Sequence, residues 1–256
     1  MLTYFSRRFI LSCVITTAAC PLAYGAQGLM SLPLREFRET GPTTQVVKKL
    51  ARAAYLKGLI GFESLDDPER GIFVATSEAD FGTALRTICV QDPRYKLVET
   101  DSPDLVNLLP VGDRSRGHKV LAFRIPKLDI EADELPENLI VKLAGYSPEL
   151  WKYLLQVYVS EGGQNPNQPG AGGGFSGNAK LPHYSIHLTN ASVREVLNEI
   201  AVESLRIKRA NPRKETTHPP APDELYVSVT GWEFRFVDPR STSFHEWVFE
   251  IFRPLN

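Results

Sequence analysis

Cysteine is scarce in this chain: its 256 residues hold three, and two of them, Cys13 and Cys20, fall in the N-terminal apolar stretch. With Cys89 alone beyond that stretch, no internal disulfide can form after its removal, and the fold must rest on an apolar core. Cys89 lies on the apolar stripe of a predicted helix, where a small hydrophobe is expected rather than a reactive thiol. Neither charge sign is in excess, with 29 basic residues against 30 acidic. Removing residues 1–25 deletes Arg7 and Arg8 and no acids, leaving 27 against 30 and a formal charge of −3. That weakly negative chain lacks the basic surface on which non-specific nucleic-acid binding depends, so no nucleic-acid partner is expected. Glycine-rich phosphate cradles, paired cysteines and a GxxxxGK sequence are also absent.

What the N-terminus does hold is a targeting pattern. Arg7 and Arg8 precede an apolar run from Phe9 to Ala19, and Ala23-Tyr24-Gly25 forms a small-residue cleavage site, which predicts a signal peptide over residues 1–25 and a mature start at Ala26. The run of about 11 residues is shorter than the ~20 needed to cross a bilayer. Ser6-Arg7-Arg8-Phe9-Ile10-Leu11 resembles the twin-arginine motif, which implies export in a folded state. Cys20 after Thr17-Ala18-Ala19 raises a lipid anchor, although Thr17 stands where lipoprotein signals usually carry Leu. The expected location is periplasmic or secreted, with membrane attachment only if Cys20 is lipidated.

One helical pattern occurs twice. Phe81, Ala84, Leu85, Ile88 and Cys89 share a spacing with Val193, Val196, Leu197, Ile200 and Ala201, and each set puts a small or apolar stripe on one helix face. Each follows a short β-type segment, Ile72-Phe73-Val74 or Tyr184-Ser185-Ile186, and Ser77 and Thr189 are the expected helix caps. Between them, Glu161 to Lys180 alternates Gly with Asn, Gln and Pro, a composition that predicts a flexible tether. The expected fold class is therefore α+β: two small units of short strands packed by amphipathic helices, related by a weak internal repeat. Their predicted bounds are 26–160 and 181–256, on either side of a linker at 161–180.

Within the first unit a helix is predicted from Thr43 or Thr44 to Gly58, carrying Val46, Val47, Leu50, Ala53 and Ala54, followed by strands at Leu59 to Phe62 and Ile72 to Ala75. After the first repeat helix come strands at Tyr95 to Glu99 and Leu105 to Leu109, giving the order α-β-β-α-β-β. Further on, Val120 to Ile125 reads as a strand, Leu135 to Gly145 as a short helix and Pro148 to Val159 as a helix. In the second unit Leu205 to Lys208, Leu225 to Val229, Trp232 to Val237 and Phe244 to Phe252 read as strands, and Lys208 to Pro222 as a proline-rich loop.

Thr44 to Ala51, Gly58 to Phe62, Gly71 to Val74, Ala84-Leu85, Tyr95 to Val98 and Leu105 to Pro110 together resemble the secretin and TonB N-terminal short domain. The resemblance covers Thr43 to Pro110, with a weaker echo from His183 to Val237, and rests on a pattern of apolar positions. It implies a periplasmic protein-interaction or signalling module rather than an enzyme, and a free-standing one, because no outer-membrane barrel or pore domain follows. The positions that define it are structural, so it supplies no functional residue.

Patterns that carry chemistry are few. Gly174-Phe175-Ser176-Gly177-Asn178 lacks the second glycine of a nucleophile elbow and has no strand before it. His245-Glu246 begins like a zinc-protease helix, but Phe249 stands where the second His belongs. His183 and His187 share one strand face about 13 Å apart, too far for one metal, and read as a solvated pair. Asn190-Ala191-Ser192 matches a glycosylation acceptor but reads better as a helix cap. Trp232, Phe234 and Phe236 alternate with Glu233 and Arg235; the aromatic face reads as core, or else as an edge strand open to a partner's strand. Lys208, Arg209, Arg213 and Lys214 form a basic run, a solvated face or a site for an acidic partner or an anionic lipid headgroup. No catalytic, cofactor-binding or metal-binding residue is assigned, and no cofactor is expected. These readings predict an exported, non-catalytic module that binds a cell-envelope protein. The alternatives are an exported hydrolase of peptide or glycan using Glu246 and Asp238, and an accessory subunit of a secretion channel.

Overall fold

Alternating burial sets the outer layers of this fold and helical stripes set the inner ones. The computed structural model describes residues 28–54, 57–76, 79–112, 115, 117–141, 143–160, 180–211, 231–236 and 247–251. The predicted signal peptide, residues 161–179 of the linker and most of the proline-rich loop lie outside them.

Strands β1 (Pro33–Leu34) and β2 (Phe37–Pro42) lead into helix α1 (Thr43–Ala53), followed by β3 (Leu59–Glu63), β4 (Gly71–Thr76) and the two-residue β5 (Ala79–Asp80). Helix α2 (Phe81–Gln91), β6 (Tyr95–Glu99) and β7 (Leu105–Pro110) complete the α-β-β-α-β-β order that the spacing predicts, interrupted only by β5. Then come α3 (Gly117–Ala122), β8 (Arg124–Asp133), α4 (Pro136–Val141), α5 (Leu143–Tyr146) and α6 (Pro148–Ser160). The last elements are β9 (His183–Ser192), α7 (Val193–Ala210), β10 (Trp232–Phe236) and β11 (Trp247–Ile251). Mixed helices and small sheets make the α+β class expected from sequence.

A five-stranded sheet in the order β11-β10-β3-β7-β6 runs through the middle. Its alternate residues face two different cores. Ile60, Phe62, Val106 and Leu108 pack with Val46, Val47 and Leu50 of α1, with Leu85 and Ile88 of α2, and with the β2–β4 ribbon. Leu59, Leu105, Leu109, Trp232 and Phe234 pack on the other side with α7, α3 and the β8–β9 ribbon. Strands β3 and β7 are consequently buried along their whole length, which explains why apolar residues stand at successive positions such as Leu59-Ile60 and Leu108-Leu109. The result is layered: ribbon, helices, sheet, helices, ribbon.

Helix α7 shows how sequence becomes packing. Val193, Val196, Leu197, Ile200, Ala201, Ser204, Leu205 and Ile207 continue one helical spacing over about four turns, and all are buried. Burying each Val, Leu or Ile of that stripe stabilises the fold by roughly 1.5–3 kcal/mol. That continuity overrides the strand expected at Leu205 to Lys208, which is helix instead. The start also differs from expectation: β9 runs on past Thr189, and Ser192 caps α7 by accepting from the Glu195 amide at 3.2 Å while the Glu195 carboxylate accepts from the Ser192 amide. Likewise Asp80, rather than Ser77, caps α2 through the Thr83 amide at 2.6 Å; Ser77 lies outside the described residues. The strand expected over Val120 to Ile125 is helix α3 up to Ala122, because Val120 and Leu121 turn together into the core that α7 and Phe234 share.

Elements from both sides of the glycine-rich stretch share sheets. Strand β8 pairs antiparallel with β9 from Arg124↔Ser192 to Asp133↔His183, and β10 pairs parallel with β3 at Trp232↔Gly61, Glu233↔Phe62 and Phe234↔Glu63. Arg209 near the end of α7 binds Asp104 with both guanidinium nitrogens, at 2.7 and 3.1 Å, and donates to the Lys57 carbonyl at 2.9 Å. A protease site placed at Gly172 is therefore expected to cut the chain without releasing the pieces. An N-terminal tag should retain the C-terminal piece through size-exclusion chromatography at neutral pH; separate elution would show that the shared sheets do not hold.

Candidate interaction face

The β8–β9 ribbon alternates in and out over residues 127–133 of one strand and 183–189 of the other. Leu128 and Ile130 of β8, with Tyr184 and Ile186 of β9, point inward and are at most 3% exposed. Lys127, Asp129, Glu131 and Asp133 point out from one strand, and His183, Ser185, His187 and Thr189 from the other. The antiparallel register sets them in rows: Lys127 opposite Thr189, Asp129 opposite His187, Glu131 opposite Ser185, Asp133 opposite His183. Directly opposite side chains in such a pair lie close enough to interact.

The rows are knitted together by Glu131. His183 places Nδ1 2.8 Å from Asp133 Oδ1 and Nε2 3.1 Å from Glu131 Oε2. His187 places Nδ1 3.1 Å from Asp129 Oδ1 and Nε2 2.9 Å from Glu131 Oε1. The Ser185 hydroxyl donates to Glu131 Oε1 at 2.6 Å, and Lys127 Nζ lies 2.5 Å from Asp129 Oδ2. Hydrogen bonding to Asp133 raises the His183 pKa above its ordinary value, and hydrogen bonding to Asp129 does the same for His187, with Glu131 adding to both. The Ser185 hydroxyl, then the two imidazoles, hold the Glu131 carboxyl below its usual range; Lys127, then His187, do so for Asp129.

Ser185, His187 and Asp129 thus have the outline of a nucleophile, base and orienting acid, with Ser185 Oγ 3.2 Å from His187 Nε2. Two observations set the arrangement apart from a working triad. The Ser185 proton is committed to Glu131, and a second carboxylate on Nε2 favours an imidazolium, which has no lone pair to accept a proton from serine. In this arrangement the rings and their carboxylates display charge on the exposed face.

The residues singled out from sequence scatter. His183 and His187 do share an exposed face as expected, but Glu131 links them. Trp232 and Phe234 are 1% and 0% exposed, and β10 has β3 on one side and β11 on the other, so the core reading holds and the edge-strand site at Trp232 to Phe236 does not. Lys208 and Arg209 belong to the last turn of α7, where Arg209 is held by Asp104. Cys89 is half-buried in α2, and burial pushes its thiol up to about 11, which suits a packing role. Arg213, Lys214, Asp238, His245, Glu246 and the Gly174 to Asn178 segment lie outside the described residues. The acids of β8 were missed, although Lys127-Leu128-Asp129-Ile130-Glu131-Ala132-Asp133 alternates with period two and carries its own signal.

A second charged group lies inside. Glu63 at the end of β3 is fully buried; Arg194 of α7 donates to its Oε2 at 3.0 Å, and His118 Nδ1 of α3 lies 3.6 Å from its Oε1. Burial pushes the Glu63 carboxyl above its usual range, against the pull of Arg194 and His118. Its full burial and its guanidinium partner make it a joint between elements. Among the described residues no group of His, Cys, Asp and Glu is placed to hold a metal, and no helix is long and apolar enough to cross a membrane. Comparison of the chain with protein-family models, curated proteins and solved structures returns no match.

Proposed function

We propose that this chain is an exported, non-catalytic protein-interaction module of the bacterial cell envelope, akin to the secretin and TonB N-terminal short domain, with the outer face of β8–β9 as its docking face. The observation that carries the reading is that face itself: a ladder of charged and polar side chains, exposed on one side and fixed from behind by Leu128, Ile130, Tyr184 and Ile186. A pre-formed charged face fixes orientation and partner choice without ordering cost at the moment of binding. The Arg7-Arg8 segment and its apolar run support export, and the run of α1, β3, β4, α2, β6 and β7 over Thr43 to Pro110 supports the kinship.

The test is crosslinking of tagged protein in native envelopes, comparing the unaltered chain with Glu131→Lys/Asp133→Lys and with Thr40→Lys on the opposite ribbon. A stoichiometric partner kept by T40K and lost by the β8 variant is the expected result. Recovery unchanged by the β8 substitutions would remove the docking face from the proposal. Recovery of the protein alone, beside a control that crosslinks, would remove the module reading.

A further inference from the structure

We propose that the outer face of β8–β9 is a proton-operated charge switch, in which His183 and His187, each wedged between two carboxylates, set its formal charge at zero when protonated and −2 when not. The count covers the ladder of Lys127, Asp129, Glu131, Asp133 and the two histidines; Arg124, farther along β8, lies 3.6 Å from Glu195 of α7, and that pair adds no net charge.

The geometry makes the case. A neutral imidazole has one N–H and one lone pair, so it can satisfy only one carboxylate. Both nitrogens of both rings lie within 3.1 Å of a carboxylate oxygen, and a lone pair facing such an oxygen is repelled. Only the imidazolium satisfies the arrangement at both ends. Glu131 is the shared element, giving one oxygen to each ring, so the two titrations are linked through it.

The switch changes charge and leaves the fold standing. The inner face of the ribbon is locked into the core by Leu128, Ile130, Tyr184 and Ile186. The histidines are raised in the folded state, so their contribution to ribbon stability is complete below about pH 6.5 and fades as pH rises through their folded values. Asp129 and Glu131 are lowered, so theirs is present above about pH 4 and fades on further acidification. The ladder is complete between those limits. That the switch governs partner docking rests on the docking reading above; the switch itself does not.

Histidine ring resonances of the mature chain, followed by NMR against pH, test it without any partner. His183 and His187 are expected to titrate above ~6.5, the value of a free histidine. Glu131→Gln should move both midpoints down, Asp133→Asn chiefly that of His183, and Asp129→Asn chiefly that of His187. All three substitutions are at exposed positions, and an unchanged amide spectrum for the inner residues confirms that each variant folds. Midpoints at or below the free value, or E131Q shifting neither or only one ring, would overturn the switch. Crosslinking that fails at every pH while the titration pattern holds would instead count against the docking reading alone.

Discussion

Replacing Arg194 with Met is expected to cost about 3–5 kcal/mol, because it takes the guanidinium from Glu63 in a site with no solvent exposure and leaves only His118, 3.6 Å away, against its charge. For a chain of this size that corresponds to a melting temperature lower by roughly 6–20 °C. The sign with pH is fixed by the same burial. Glu63 is raised in the folded state, so the folded protein holds its proton to higher pH than the unfolded chain, and stability falls as pH rises through that interval. Without Arg194 to pull it down, the R194M loss should be largest at neutral and alkaline pH and partly relieved near pH 4. The double variant Glu63→Met/Arg194→Met should recover most of the loss, because an apolar pair of similar volume replaces a desolvated ion pair. Thermal unfolding of the three variants across pH checks this; an R194M protein as stable as the unaltered chain at pH 7 would mean that Glu63 is not a buried anion.

Replacing Trp232 with Ala should cost about 3–5 kcal/mol by removing a fully buried aromatic. The indole occupies a place built for it. A Cβ on Gly61 would lie 2.6 Å from the Trp232 ring, and one on Gly231 would lie 2.0 Å from the Ile60 carbonyl oxygen, so two glycines admit the strand and its side chain. The indole Nε1 donates to Asn198 Oδ1 of α7 at 2.9 Å, which ties β10, the sheet and α7 at one point. The variant loses the bond and the packing together. Because the central sheet spans both predicted units, denaturant unfolding of the unaltered chain should show one transition. The variant should show the same transition at lower denaturant. Two separate transitions in the unaltered chain would mean that the units unfold independently.

The local rules were legible wherever one residue type repeats at one period. Helices α1, α2, α6 and α7 and strands β3, β4, β6, β7 and β10 follow from apolar spacing alone, since burial of a stripe or a face is a local pattern. The cap positions were misplaced: Ser77 and Thr189 were expected, whereas Asp80 caps α2 and Ser192, with Glu195 three residues on in a capping box, caps α7. The short apolar run at Val120 was not decidable, because a few consecutive apolar residues fit a buried helix or a buried strand equally well.

Of the candidate face, the sequence showed His183 and His187 at even spacing and, in Asp129, Glu131 and Asp133, a second even-spaced set some fifty residues earlier. It could not show that the two sets meet. Cross-strand register depends on which strands pair, and β8 and β9 are separated by three helices and the glycine-rich stretch. The same holds for Glu63: one acid after an apolar run reads as the polar end of a strand, and only its burial against Arg194, 131 residues away, turns it into a charged joint. The amino-acid order by itself determined periodicity and class, because those arise from neighbours within a turn or a strand. The tertiary structure decided that strands from both sides of the glycine-rich stretch lie in one sheet and that two histidines share one glutamate, because long-range pairing is selected by the packing of whole faces rather than by any local segment.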